Sequence, residues 1–193
     1  MMTERHCTTA LLVCDVQTGI TRDFPFARPV VPVLATAVPA ARRAGVKIVY
    51  VRAGLRSNAA DVHPNNLLFQ QFHALGTTFH ENNSDTHIDG DLDIDPSDVV
   101  VLKRRTNAFA ATDLDLVLRS NHIERTVICG VATSAVVTAT VYAASDLDYS
   151  VTVLADACAD QDPELHELLT TRLFPARGVE VTTTHRWLTA LTL

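Results

Sequence analysis

The sequence lacks the features that place a protein in a membrane or on a nucleic acid. No apolar run approaches the roughly 20 residues that a membrane-spanning helix needs. The formal net charge is −6, so no basic excess is present to attract a nucleic acid. The first residues also lack the basic region, apolar stretch and cleavage site of a secretory signal. We therefore expect a cytoplasmic protein that acts on small molecules, without nucleic-acid or membrane partners.

Cysteine is scarce, with 4 residues in the chain, at positions 7, 14, 129 and 158. No two of them form a C-x-x-C pair, and none has zinc-ligand spacing with a histidine. Cys14 and Cys129 stand at the ends of apolar runs, where cysteine usually behaves as a small core residue. The cysteines therefore predict neither a structural metal site nor a disulfide framework.

What the sequence does contain is a regular alternation of short β-rich apolar runs with helical patterns. Strands are predicted at 9–14, 46–51, 98–102, 125–129, 150–154 and 179–183. Helices are predicted at 28–45, 65–75, 112–121, 133–146 and 163–174, with a last helical turn near Trp187. Such alternation is typical of βαβ units. We predict one α/β domain over residues 1–193, with three αβα layers around a mainly parallel six-stranded sheet.

The chemistry is expected where the predicted strands end, because ligands bind beyond the carboxyl ends of the strands in an open parallel sheet. Asp15 directly follows the first predicted strand, and Lys103 follows the third. Both side chains can therefore face one cleft. A carboxylate beside an amine can hold and move a proton, but the same pair can also be a structural salt bridge. The spacing leaves both interpretations open.

Four segments carry a more specific pattern: Asp15-Val-Gln17, residues 103–114 (KRRTNAFAATDL), Gly130-Val-Ala-Thr133, and residues 155–160 (ADACAD). Together and in this order they resemble the isochorismatase-like hydrolases of the cysteine hydrolase superfamily. In the branch of that family with a cysteine nucleophile, an Asp-Lys-Cys triad is catalytic. The resemblance puts the first two members of such a triad at Asp15 and Lys103.

The third member of that triad is missing. In the family pattern G-x-x-T-x-x-C, the cysteine position corresponds to Val136. Cys129 and Cys158 are poor replacements, since one precedes the turn and the other belongs to the later ADACAD segment. Without a thiolate, the covalent route of amide hydrolysis is lost.

The resemblance then implies the chemistry of the isochorismatases, which cleave a vinyl ether without that cysteine. Asp15 would protonate the vinyl ether of isochorismate or a similar metabolite, and Lys103 would bind its carboxylate or organise the acid. The isochorismatase turn reads G-V-Y-A-H, whereas this chain has Gly130-Val-Ala-Thr-Ser134. Two alternatives stay open: a catalytically silent binding protein on the same scaffold, and amide hydrolysis by activated water.

The resemblance also implies the surroundings of the site. It implies a cis peptide bond between Val131 and Ala132. The expected substrate-binding residues are Gln17, Arg52, Phe109, Val131, Ala132, Thr133 and Val136. A nucleophilic Thr133 or Ser134 is disfavoured, because the sequence places no histidine base near either hydroxyl.

A metal site and a cofactor are not expected. The stretch Asp61-Val-His63 has the spelling of the nicotinamidase metal motif, but it lies about ten residues past the second predicted strand, in a loop. The family motif would follow that strand almost directly. The family commonly assembles as dimers or tetramers, so a homodimer or homotetramer is expected.

Overall fold

A six-stranded parallel sheet forms the centre of the computed structural model, which describes residues 8–191. Cys7 lies outside the described residues. The strands are β1 (Thr9–Cys14), β2 (Lys47–Ala53), β3 (Val99–Lys103), β4 (Arg125–Val131), β5 (Ser150–Ala159) and β6 (Glu180–Thr182). They lie in the order β3-β2-β1-β4-β5-β6, and every neighbouring pair is parallel. The predicted fold class is confirmed.

Helices cover both faces of this sheet. They are α1 (Thr18–Asp23), α2 (Val30–Arg43), α3 (Leu67–Ala74), α4 (Leu114–Ser120), α5 (Thr138–Asp146), α6 (Pro163–Leu168), α7 (Phe174–Ala176) and α8 (Thr184–Leu191). The central strand β1 is buried at every position, which a strand with one solvated face could not be. Cys14 and Cys129 are fully buried, as predicted for core residues. Within residues 8–191, no helix combines the length and apolarity that crossing a bilayer requires.

The elements differ from the predicted ones mainly at their ends. β5 continues to Ala159, so Asp156 lies inside the strand and not beyond it as predicted. Its carboxylate accepts hydrogen bonds from the backbone and hydroxyl of Thr184, which fixes the start of α8. The predicted helix at 133–146 begins with a π-helical turn, Thr133–Val137, before α5. Helix α1 was absent from the prediction, since its six residues are too few for a helical period.

β1 and β4 approach each other very closely where Cys14 pairs with Gly130. Gly130 has a φ of +122°, and a Cβ atom at this position would lie 2.0 Å from the carbonyl oxygen of Cys14. Only glycine therefore fits here. This approach places the residue after β1, Asp15, beside the residues that follow Gly130 in β4.

Candidate active site

Asp15 is held at the carboxyl end of the sheet by an unusual backbone conformation. Its φ is +57°, in the left-handed region that aspartate tolerates better than most residues with a side chain. Its backbone N–H donates to the carbonyl oxygen of Val51 at 2.8 Å, which ties the end of β1 to β2. The chain therefore turns sharply after Cys14 and presents the Asp15 carboxyl at the sheet edge.

Lys103, the last residue of β3, meets Asp15 across the end of β2, the strand that lies between β3 and β1. Its Nζ lies 2.8 Å from Asp15 Oδ2. The two residues are only 4% and 8% exposed. Within residues 8–191, the second carboxyl oxygen, Asp15 Oδ1, is buried without a hydrogen-bond partner. One oxygen of the acid is thus bound to the amine, and the other is available.

The surroundings favour the protonated form of this carboxyl. Burial raises the pKa of Asp15, and the attraction and hydrogen bond of Lys103, together with the nearby backbone N–H of Ala53, offset that rise only in part. The cause is the loss of hydration, which destabilises the charged carboxylate more than the neutral acid. A carboxyl with a raised pKa and an unpartnered oxygen is suited to donate a proton.

Asp15 and Lys103 line a cavity of about 240 Å³. Most of its wall is apolar, and five phenylalanines contribute to it: Phe24, Phe26, Phe69, Phe72 and Phe79. Two of these come from α3, and Phe72 stacks on Phe79 with ring centroids 4.8 Å apart. The polar lining residues other than the ion pair are Thr106, Ser134, Asp160 and Gln161. The cavity is therefore a largely apolar chamber with an acid and an amine in one wall.

The turn after β4 forms another part of the wall. The peptide bond between Val131 and Ala132 is cis, as the family resemblance implied. Val131, Ala132 and Val136 line the cavity, where the structure brings them together with Asp15 and Lys103. Val136 is 1% exposed, so an aliphatic side chain fills the place that the resemblance assigns to the nucleophilic cysteine.

The cysteines that the structure describes, Cys14, Cys129 and Cys158, do not line the cavity. Burial raises the pKa of Cys158 to about 12 and raises the pKa values of the other two as well. Since the thiolate is the reactive form, these thiols are poor nucleophiles at neutral pH.

Gln17 and Arg52 lie outside the cavity lining, unlike the prediction that they bind substrate. The side-chain amide of Gln17 donates to the Ala53 carbonyl at 3.0 Å and accepts the Ala53 N–H at 2.6 Å. It therefore links the chain after β1 to the end of β2. Arg52 donates to Thr86 Oγ1 at 2.9 Å and to the Glu81 carbonyl at 3.3 Å. Through these contacts its guanidinium anchors the loop at 76–96 to β2, one residue before that strand ends.

Phe109 and Thr133 also lie outside the cavity lining, although both were predicted there. Phe109 stacks on Tyr149 with ring centroids 6.0 Å apart, so its ring packs against the hydrophobic core. Thr133 is fully buried, and its Oγ1 lies 2.8 Å from His166 Nδ1. The sequence expectation that no histidine lies near this hydroxyl was therefore wrong. His166 arrives from α6, 33 positions along the chain, and no local pattern signals that approach.

The sequence reasoning largely missed the phenylalanine wall, which is the part of the cavity lining formed by Phe24, Phe26, Phe69, Phe72 and Phe79. Asn66 caps α3 by accepting the N–H of Phe69 at 3.2 Å, and this cap sets the first turn of the helix. Phe69 and Phe72 then lie on the side facing the cavity. The helix itself was predicted, but a helix of eight residues gives too short a pattern to show which face meets the site.

Asp61 and His63, which have the spelling of a metal motif, form ion pairs and a backbone hydrogen bond within the chain. Asp61 Oδ2 lies 3.0 Å from Arg104 Nε and 3.5 Å from Arg56 Nη1. His63 Nδ1 accepts the N–H of Asn65 at 3.1 Å. Over residues 8–191, no three histidine, cysteine, aspartate or glutamate side chains are grouped so that they could hold a metal ion.

Comparison with known proteins identifies relatives that match most of the chain. Residues 9–186 match the family model "Isochorismatase domain". A probable inactive nicotinamidase of Arabidopsis thaliana is 29% identical over 96% of this chain and 97% of its own. The ureidoacrylate amidohydrolase RutB of Pantoea ananatis is 30% identical over 81% of this chain and 71% of its own.

A solved structure, a cysteine hydrolase from Pseudomonas syringae pv. phaseolicola, superposes with a TM-score of 0.87. It is 23% identical, and the match covers 96% of this chain and 92% of that one. At this identity the likeness extends to the fold alone.

Proposed function

Because the chain belongs to the isochorismatase family, we propose that it is a hydrolase that cleaves a vinyl ether by acid catalysis from Asp15, without a cysteine nucleophile. The observation that carries the proposal is the state of the Asp15 carboxyl. Its Oδ2 is bound to Lys103, its Oδ1 has no partner within residues 8–191, and burial raises its pKa. Val136 in the cysteine position supports a route without a thiolate.

In the proposed reaction, protonated Asp15 transfers its proton to the methylene carbon of the vinyl ether. The electron pair of the double bond forms the new C–H bond and leaves an oxocarbenium ion. Water adds to that carbon, and the resulting hemiketal breaks its C–O bond to give an alcohol and a ketone. The proton released by the water restores the acid. Lys103 stabilises the Asp15 carboxylate while it lacks its proton, an attraction strengthened by the apolar wall.

A catalytically silent binding protein is the first alternative. The similarity to a probable inactive nicotinamidase over 96% of the chain favours it, as does Val136 in the nucleophile position. Amide hydrolysis by activated water is the second alternative, favoured by the similarity to an amidohydrolase. That route needs an ionised Asp15 as general base, and burial works against the ionised form.

Incubation of the purified protein with a vinyl ether such as isochorismate, a small amide and a ureide tests these functions. We expect turnover of the vinyl ether, and a loss of about 10²- to 10⁴-fold in Asp15→Asn, which cannot donate the proton. Circular dichroism of the variant checks that the fold is intact. Full activity of a folded Asp15→Asn variant would remove the acid from the mechanism. Turnover of the amide alone, or binding without any turnover, would favour one of the two alternatives.

A further inference from the structure

The two edges of the parallel sheet differ in how they are protected. β6, at one edge, has three residues and begins with the exposed Glu180. β3, at the other edge, has five residues and reads VVVLK. Edge strands are usually protected by charge, proline, a bulge or shortness, because their unpaired backbone groups can bind another strand. β3 lacks this protection, since its one charged side chain, Lys103, is buried against Asp15.

The backbone groups of Val100 and Leu102 point away from the sheet. The carbonyl oxygen of Lys103 accepts the N–H of Gly54 at 3.1 Å, so Lys103 directs its backbone groups towards the β2 side. Since successive residues of a strand direct these groups to opposite edges, Leu102 and Val100 direct theirs to the open edge. Within residues 8–191, no strand or isolated bridge pairs with that edge. Two N–H donors and two carbonyl acceptors are therefore available there.

The side chains along this edge are apolar and partly exposed. Val100 is 45% exposed, and Leu102 is half-buried. Ile94, which precedes the turn at 95–98 that leads into β3, is 46% exposed. Aliphatic side chains of this kind suit a strand and gain free energy when another surface covers them. Both the backbone and the side chains of this edge thus suit the addition of a further strand.

We propose that β3 pairs in antiparallel register with β3 of a second copy of this chain, so that the two six-stranded sheets form one continuous sheet. In a two-fold arrangement centred on Val101, Val100 lies opposite Leu102 of the partner subunit, and Leu102 lies opposite Val100 of the partner subunit. These are the residues whose backbone groups face outward, so each can form the paired hydrogen bonds of an antiparallel ladder. The inference does not depend on the proposed function.

Charge and side-chain pairing favour a second copy over an unrelated strand. In this register Asp98 lies opposite Arg104 of the partner subunit, so no like charges face each other. The two pairs of Val100 with Leu102 of the partner subunit and its symmetric equivalent place aliphatic groups on one face of the sheet. Elsewhere the net charge of −6 opposes self-association. An uncharged, self-complementary edge is therefore a favourable place for two copies to meet.

Engineered cysteines test the register of this pairing. Val100→Cys and Leu102→Cys proteins, each in a Cys7→Ser background, are oxidised mildly alone and as a mixture. In the mixture the two cysteines would lie opposite each other with Cα atoms about 5.5 Å apart, a distance that a disulfide spans. In either protein alone the two copies would lie about 7–8 Å apart on a diagonal, beyond that range. We expect at least about tenfold more covalent dimer from the mixture. Equal linkage in the single proteins, or none in the mixture, would overturn the register.

A charge on the edge should weaken the dimer. We expect the parent protein to dimerise at micromolar concentrations, and Val100→Lys to raise the dimer Kd at least about tenfold, because pairing would take the added charge out of water. Leu75→Lys is the matched control, since Leu75 is 47% exposed at the end of α3, and its Kd should match the parent value. Sedimentation equilibrium measures Kd, and circular dichroism checks folding. A parent protein that stays monomeric up to about 100 μM, or an equal effect of Leu75→Lys, would overturn the proposal.

Hydrogen exchange detects the proposed hydrogen bonds directly. The amides of Val100 and Leu102 should exchange at least about tenfold more slowly in the dimer than after dilution to the monomer. The amides of β6, at the opposite edge, should exchange at the same rate in both states. Protection of Val100 and Leu102 that does not change with concentration would mean that a segment of the same chain covers this edge, which would overturn the pairing of two copies.

Discussion

Two ion pairs of this protein differ in how completely their carboxyl groups are hydrogen-bonded. The first joins Arg42 of α2 to Asp98, whose side chain is 1% exposed. Both carboxyl oxygens of Asp98 are occupied: Arg42 Nε donates to Oδ1 at 3.1 Å and Nη2 to Oδ2 at 2.6 Å. The backbone N–H of Asp95 also donates to Oδ2 at 2.9 Å. This pair is complete, and it fastens the segment before β3 to α2.

The second pair, Asp15 and Lys103, is incomplete. One carboxyl oxygen meets the amine and the other has no partner in the described chain, although both residues are buried. Burial raises the pKa of Asp15, whereas the hydrogen bond that Arg42 donates to Asp98 raises the pKa of Arg42 and keeps its guanidinium charged. The comparison suggests that completeness of hydrogen bonding separates a structural ion pair from a reactive one.

The largest effect is expected from breaking the incomplete pair at its amine. Lys103→Met keeps the length of the side chain and removes the charge that stabilises the Asp15 carboxylate and attracts a substrate carboxylate. We expect kcat/KM for a vinyl ether to fall by about 10²- to 10³-fold, as for the loss of an electrostatic stabiliser. Steady-state kinetics with thermal denaturation as a folding check measures the effect. A folded Lys103→Met protein with normal kinetics would make the pair structural.

The complete pair should respond in the opposite way. Asp98→Asn removes the charge and part of the bidentate contact with Arg42, so we expect the free energy of unfolding to fall by about 1.5–3 kcal/mol. Urea denaturation measures this loss. At temperatures where the variant is folded, kcat/KM should match the parent protein, because Asp98 is outside the cavity lining. A loss of kcat/KM without a loss of stability would contradict the comparison.

The smallest effect is a pH dependence of stability and of kcat/KM that comes from Asp15 alone. Because the pKa of Asp15 is raised, the folded protein keeps this proton at pH values where the unfolded chain has released it. The stability that Asp15 contributes is then fully present below its unfolded pKa of about 3.9 and is lost as pH rises through the folded value.

Above that folded pKa, kcat/KM should fall by about tenfold per pH unit, since the acid is deprotonated. At lower pH, between the unfolded and the folded pKa of Asp15, the free energy of unfolding of the parent protein should decline relative to that of Asp15→Asn. Asp98→Asn is the control, and its pH–rate profile should overlay that of the parent. A rate that rises with pH through this range would indicate a general base instead.

The sequence was sufficient to predict the parallel sheet, from the alternation of strands and helices. It was also sufficient to predict that Asp15 and Lys103 lie close together, because each directly follows or ends a strand of that sheet. β1 runs from Thr9 to Cys14 as the apolar run predicted, and parallel strands necessarily bring Asp15 and Lys103 to the same edge. The cis bond at Val131–Ala132 came from the family resemblance, since no local propensity predicts it.

The rest of the cavity depends on contacts between distant segments, which a single sequence does not encode locally. Gln17 was predicted to bind substrate from its place beside Asp15, but the backbone of Ala53 uses both ends of its amide. Phe109 was predicted from its neighbours in the 103–114 segment, but it stacks in the core on Tyr149. Phe72 and Phe79 enter from a helix and a loop whose orientation follows only from the finished packing.

The contact between Gly130 and Cys14 has a practical consequence for redesigning this protein. Any side chain at position 130 would meet a carbonyl oxygen at 2.0 Å, so β1 and β4 would have to separate and carry the acid away from the turn that faces it. A mutational library aimed at new substrates should therefore vary the five cavity phenylalanines and leave this glycine untouched, even though it does not line the cavity.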